Sequence, residues 1–138
     1  MSELPVRAPH PTVETQRFWD GTAEERIELA RCTSCSFIPW PPRAVCPDCQ
    51  STDWTWETLS GNGTVYSFSV TRAGVSRTWK EHLPIVIAYV QLDEGPTMMT
   101  NIVDCEPDTV RIGLAVEAVF DDTGEGTSLV RFRPRETS

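Results

Sequence analysis

The chain has 138 residues, 39 % hydrophobic and 23 % charged, a composition that belongs to a folded protein and excludes a disordered one. Twelve basic side chains stand against twenty acidic ones for a net charge of −8, which counts against a general binder of nucleic-acid phosphates. No apolar run approaches the ~18 residues that cross a bilayer, and MSELPVRAPHPTVE lacks the apolar stretch of a secretory signal, so a cytoplasmic chain with reduced thiols is expected.

Residues 1–12, with Pro5, Pro9 and Pro11, read as a mobile tail or as a segment that a partner orders. A short helix is predicted from about Val13 to Asp20, stopped by Gly21. Two readings compete next. Thr22 and Glu25 have the spacing of a capping box, whereas Ile27 and Leu29 alternate with Arg26 and Glu28 as in a strand leading to Cys32. The strand is preferred.

After the cysteines, Trp54 and Trp56 fall on one face of an extended segment, and Gly61-Asn62-Gly63 opens a series of strand patterns. In TVYSFSVT, Tyr66, Phe68 and Val70 alternate with Ser67, Ser69 and Thr71 as a half-buried strand requires. IVIAYVQL, residues 85–92, is almost continuously apolar, the pattern of a central strand. TMMTNIV follows a turn at Asp93–Pro96, and VEAVF and SLVRFR complete the set, separated by turn signals at Gly113 and Asp121–Gly126. Five antiparallel strands in so short a stretch suit a small closed barrel of the OB type, because closure removes exposed edges.

Four of the five cysteines lie within RCTSCSFIPWPPRAVCPDC as Cys32-x₂-Cys35 and Cys46-x₂-Cys49. A two-residue gap lets both sulfurs of a pair point to one centre, and two such knuckles supply a tetrahedral thiolate set that suits Zn²⁺. Such structural sites contribute on the order of 10–16 kcal/mol of apparent binding free energy, enough to fold a module without its own core. A rubredoxin-like iron site and a redox dithiol are the alternatives. A closed four-thiolate site has no open position, so this metal is expected to be architectural. Between the knuckles the prolines stiffen Ile38–Arg43, and Trp40 is either a docking anchor or a lid that packs the ribbon on its neighbour.

The remaining chemistry is sparse. Cys105 has acidic neighbours, which raise a thiol's pKa, so it reads as a small buried hydrophobe rather than a nucleophile. Nothing in the sequence brings it to His82, and no Walker, GxGxxG, GxSxG or HExxH motif is present. No catalytic residue is therefore assigned. The loop RAGVSRTWKEHLP gathers Arg72, Arg77, Lys80 and His82 around Trp79 between the first two barrel strands, a place where OB folds commonly bind ligands. Cations beside an aromatic suit a nucleotide such as the coenzyme A head or a single strand; a solvated loop with Trp79 tucked beneath it fits as well.

In their order, FWDGTAEERIELARCTSCSFIPWPPRAVCPDC, SGNGTVYSFSV, LPIVIAYVQLDEGP and RIGLAVEAVF resemble the domain-of-unknown-function family thirty-five over roughly residues 17–134. The resemblance implies a mainly β protein: a short N-terminal helix, a rubredoxin-like zinc ribbon, then a five-stranded OB-fold barrel, divided at 1–28, 29–58 and 59–138. It implies Cys32, Cys35, Cys46 and Cys49 as ligands of a structural Zn²⁺. It also implies a non-catalytic accessory subunit in a hetero-oligomer. The partner would be a thiolase-fold or lipid-transfer-protein-like enzyme acting on CoA thioesters: a thiolase, an acyltransferase or a steroid side-chain aldolase. Phe18, Trp19, Trp40, Arg43, Arg72, Arg77, Trp79, Lys80 and His82 are the expected contacts to that partner or to acyl-CoA, although packing on the ribbon suits Phe18, Trp19 and the proline-rich tail equally well. Two other readings stand beside this one: a single-stranded nucleic-acid binder, which the net charge opposes, and an independent acyl-CoA-binding protein.

Overall fold

A computed structural model describes residues 2–136, so Met1, Thr137 and Ser138, the ends of the expected first and third units, lie outside the described residues. Helix α1, Gln16–Ala23, precedes a two-stranded antiparallel ribbon, β1 (Ile27–Cys32) and β2 (Trp54–Leu59). The ribbon runs in a register that sets Ile27 opposite Leu59 and Cys32 opposite Trp54. The alternation of Ile27 and Leu29 does form a strand. Thr22 does not start a helix: it lies near the end of α1, where its hydroxyl donates to Trp19 O at 2.6 Å and accepts the Ser128 N–H at 3.0 Å.

Gly21 does not stop that helix either. The chain turns after Ala23, with the Arg26 N–H bonded to Gly21 O at 2.9 Å and Glu25 in the left-handed region at φ 59°. Gly21 is buried, and a Cβ there would stand 3.2 Å from Arg26 O and from the Glu28 carboxylate. The missing side chain lets β1 pass close under the helix.

Strands β3 (Asn62–Thr71), β4 (Ile85–Leu92), β5 (Thr97–Ile102), β6 (Ala115–Asp122) and β7 (Ser128–Pro134) close into a barrel in the order β3-β4-β5-β7-β6. Helix α2 (Arg77–Lys80) lies between β3 and β4, and a 3₁₀ turn, Pro107–Thr109, lies between β5 and β6. The expected five strands are all present, but the pairing is not wholly antiparallel. Closure runs through a parallel contact of β5 with β7 at Ile102 and Phe132. Val65, Val90, Leu92, Val116 and Phe132 fill the interior and are each 2 % exposed or less. At Gly63, which pairs with both Leu92 and Val116, a Cβ would come within 2.5 Å of Gln91 O, so only glycine lets the three strands converge.

Two strand readings change phase. A bulge between Val65 and Ser67 turns Val65 inward and leaves Tyr66 63 % exposed, so Tyr66 does not share a buried face with Phe68 and Val70. In β4 the burial alternates, and the apolar run leaves Ile87 and Tyr89 exposed on the outer face.

The N-terminal segment is docked rather than mobile, and the signal for it lies far away in sequence. Arg131 and Asp121 form an ion pair at 2.5 Å with side chains 4 % and 2 % exposed. Both face outward from the barrel, and the N-terminal segment covers them. Arg131 donates to Leu4 O at 3.3 Å and Pro5 O at 2.6 Å, while Asp121 accepts the Ser2 N–H at 2.7 Å and the Ser2 hydroxyl. Asp121, read from sequence as part of a turn, is thus a buried anchor.

Burial alone would raise the Asp121 pKa, but the Ser2 donors and the Arg131 guanidinium outweigh it and hold the carboxyl below its ordinary value. A depressed folded pKa gives stability that is present above the unfolded carboxylate value and is lost as pH falls through the folded one. Asp121→Ala leaves Arg131 buried without its counter-charge and should cost about 3–5 kcal/mol in urea denaturation. In acid titrations of stability the substitution should also remove part of the decline below the carboxylate range.

Candidate metal centre and ligand-facing loop

Ribbons of two strands bury too little surface to persist alone, so what holds the end of β1–β2 matters. The two knuckles have one backbone design. Ser36 N–H bonds Cys32 O and Gln50 N–H bonds Cys46 O, each at 2.8 Å, and both Ser36 and Gln50 take φ 67°. Cys32 N–H and Cys46 N–H then donate to Phe37 O and Ser51 O at 2.8 Å. Each turn aims its sulfurs at a shared centre. Neither left-handed position is glycine, so composition gave no sign of the turn.

The four Sγ atoms lie within 4.8 Å of one another, with Cys32–Cys49 at 3.5 Å and Cys35–Cys46 at 3.6 Å. Zinc bound at about 2.3 Å from each of four sulfurs spaces them about 3.8 Å apart, so the set fits zinc. None of the four is in a disulfide. Burial opposes ionisation of Cys32, yet the N–H groups of Cys35 and Ser34 and the neighbouring thiols bring its pKa down to about 6. At Cys35 the Phe37 N–H favours the thiolate, but burial and the other sulfurs push it up to about 12. Four thiolates together need a cation. When bound, zinc supplies charge neutralisation and a rigid corner, not a reactive position.

Arg31, which the motif reading passed over, braces this corner. Its guanidinium grips Glu57 on β2 at 3.0 and 2.7 Å and reaches Ser36 O at 3.0 Å. Pairing raises the Arg31 pKa and lowers that of Glu57.

The expected contact residues separate into two sets. Phe18 is 1 % exposed and belongs to the core with Ile27, Leu29, Ile38 and Leu59, so it is not a surface anchor. Trp19 and Trp40 pack on it edge-to-face, with centroids 4.9 and 4.7 Å away. Both are half-buried, which makes Trp40 a lid over the ribbon with one edge still accessible. Arg43 is exposed beside Ala44, whose N–H donates to Glu14 at 2.6 Å.

In the loop, Arg72 pairs with Asp108 at 3.2 Å, both well exposed, and Arg77 and Lys80 project from α2 into solvent. Trp79 is half-buried, with the Arg131 guanidinium 6.0 Å from its ring. It walls a groove of about 400 Å³ with Val75, Ile85, Ile87 and Met99. A neighbouring groove holds Trp19 and Trp40, and the two share Met99–Asn101 on β5. Three tryptophans from distant parts of the chain thus gather around one strand segment, while Arg43 lines neither groove. His82 and Cys105 both line a cavity of about 590 Å³ beside the N-terminal segment. The Cys105 thiol is pushed up by burial and by Asp104 and Glu106, opposite to what a nucleophile needs.

The family models described as the ChsH2 rubredoxin-like zinc ribbon domain and the ChsH2 C-terminal OB-fold domain match residues 19–55 and 56–121. A "DUF35 domain-containing scaffold protein" of Methanocaldococcus jannaschii is 38 % identical over 77 % of this chain and 79 % of its own length. The "3-oxo-4,17-pregnadiene-20-carboxyl-CoA hydratase alpha subunit" of Mycobacterium tuberculosis is 33 % identical over 93 % of this chain, which spans only 40 % of that subunit. Among solved structures, a chain of "Ltp2-ChsH2(DUF35) aldolase" superimposes with a TM-score of 0.80 at 30 % identity, covering 92 % of this chain and 98 % of that one.

Elemental analysis of purified protein should find one zinc per chain. Cys32→Ser, at a buried ligand, should abolish it and lower the melting temperature, whereas Cys105→Ala should keep full zinc content.

Proposed function

Because the chain belongs to the DUF35 family, in which a rubredoxin-like zinc ribbon precedes an OB-fold barrel, we propose that it is a non-catalytic accessory subunit of a thiolase-superfamily enzyme acting on CoA thioesters. The observation that carries this reading is the likeness, along almost its full length, to a chain of the Ltp2-ChsH2(DUF35) aldolase. The names given to relatives, scaffold protein and hydratase alpha subunit, support a part within an assembly. The companion chain supplies the nucleophile and the base for making or breaking the carbon–carbon bond. The ribbon and barrel brace it. Trp40, Arg43 and the Arg72–Pro84 loop face the companion or the CoA group it carries.

Chemistry favours this reading over single-strand binding. Arg72 is already paired with Asp108, which leaves Arg77 and Lys80 as the loop's long cations without an ion pair among the described residues, in a chain of net charge −8. Phosphate backbones need several clustered cations to release counterions. A labelled oligonucleotide should therefore show no shift with micromolar protein even at low salt.

Co-expression with the thiolase-fold protein of its own genome should give a soluble hetero-oligomer, and cleavage or formation of a CoA thioester should require both chains. A thiolase-fold protein that is soluble and fully active alone would overturn the subunit reading. Turnover of a thioester by the isolated chain would overturn the non-catalytic one.

A further inference from the structure

The barrel's outer surface is finished on one side only. Over β6 and β7, Arg131 and Asp121 are sealed by the N-terminal segment, α1 is bolted to Ser128 through Thr22, and Glu117 pairs with Arg133 at 2.9 Å. The outer side of β3, β4 and β5 is flanked at its Ile85–Asn101 edge by Val75 and Trp79 and by Pro5–Arg7, while Tyr66, Tyr89 and Met99 are left open among the described residues. Its central rungs are Ser67–Tyr89–Met99 and Ser69–Ile87–Asn101, and Tyr66 stands out at the adjoining bulge. Tyr66 and Met99 are 63 % exposed and Tyr89 48 %.

None of these positions is charged, in a chain where 23 % of residues are. A one-sided antiparallel sheet normally turns polar residues to water, while the near-continuous apolar run of β4 belongs to a strand covered on both faces. This side of the sheet therefore sets Ile87, Tyr89 and Met99 side by side among the uncharged Ser67, Ser69 and Asn101, an apolar centre without full cover. The apolar band continues into the groove of Trp79 and Val75 and into that of Trp19 and Trp40, both of which meet Met99 or its neighbours. An apolar expanse of this kind marks a place where another molecule sits.

Charge selects the occupant. Helix α2 borders the face through Trp79 and carries Arg77 and Lys80, neither of which is in an ion pair among the described residues. Not one carboxylate lies on the central rungs to meet them. We propose that the outer face of β3–β4–β5, centred on Tyr89 and Met99, is the seat of the companion subunit, which presents an apolar patch edged by carboxylates that meet Arg77 and Lys80. The proposal rests on the accessory-subunit reading and says which surface performs it. Tyr89 and Met99, opposite one another and 48 % and 63 % exposed, are the anchors; the two cations speed and orient the encounter.

The test uses the full chain and the thiolase-fold protein of its own genome, with affinity measured by titration and the chain alone examined by sedimentation. Met99→Asp and, independently, Tyr89→Ser should each weaken binding by about tenfold or more while the variants keep zinc and an unchanged melting temperature. Lys80→Glu should weaken binding several-fold at low salt and flatten its salt dependence. Wild-type affinity in both Met99→Asp and Tyr89→Ser overturns the docking face and leaves the subunit reading intact. No binding by the unaltered chain overturns both. A chain that dimerises alone, and that Met99→Asp renders monomeric, assigns the face to a second copy and overturns the proposal.

Discussion

Thiolates drawn to one point are the constraint from which the rest of the architecture follows. Ribbon strands β1 and β2 have neither the length nor the number to form a core of their own. Convergence of Cys32, Cys35, Cys46 and Cys49 fixes the far end of the ribbon, and Arg31 ties that corner back to β2 through Glu57. With the corner fixed, Ile38 and Trp40 descend onto Phe18, and the helix, ribbon and inter-knuckle strap share one small core. That core in turn sets α1 against β7, so the metal's influence reaches the barrel through packing rather than through any direct bond.

The barrel is the other rigid body, and its outer surface is divided by what the chain itself covers. Strands β6 and β7 are dressed by the N-terminal segment and by α1; among the described residues the N-terminal segment reaches only the Ile85 and Asn101–Ile102 edge of β4 and β5, leaving Tyr66, Tyr89 and Met99 open. Arg131 sits where these arrangements meet. It bonds Asp121, holds the carbonyls of Leu4 and Pro5, and lies against Trp79 of the cation-bearing loop. One buried guanidinium thus links the path of the N-terminal segment to the wall of the apolar groove.

Much of this was legible in the residues themselves. Paired Cys-x₂-Cys knuckles specify a metal corner by spacing alone, and five alternating segments punctuated by glycine turns specify a small barrel. What escaped was whatever depends on contacts distant in sequence. Gly21 reads as a helix stop because glycine usually is one, yet here it makes room for β1. Tyr66 reads as buried because a bulge has no signature of its own. Phe18 reads equally as an anchor or as ribbon packing, because an aromatic next to Trp19 gives no hint of which ring points inward. Asp121 reads as a turn residue and Arg131 as one residue of the strand SLVRFR, and both point outward from the barrel; only the distant Ser2–Pro5 segment makes them interior. The long apolar run of β4 was legible as a covered strand, and the isolated chain satisfies that expectation on one side alone.

Beyond Ser2, whose hydroxyl meets both Asp121 and Arg131, the grip on the N-terminal segment is made by main-chain carbonyls. Arg131 therefore recognises that a peptide passes, and in which direction, without reading which amino acids compose it, apart from Ser2 at the Asp121 carboxylate. The exposed positions Glu3, Val6 and Arg7 are accordingly free to change identity while the half-buried Leu4 and Pro5 keep the route along the barrel fixed. At Val6 and Arg7, which line a groove with Trp79, such a strap can acquire new surface chemistry, acidic, basic or greasy, with little disturbance of the scaffold beneath it.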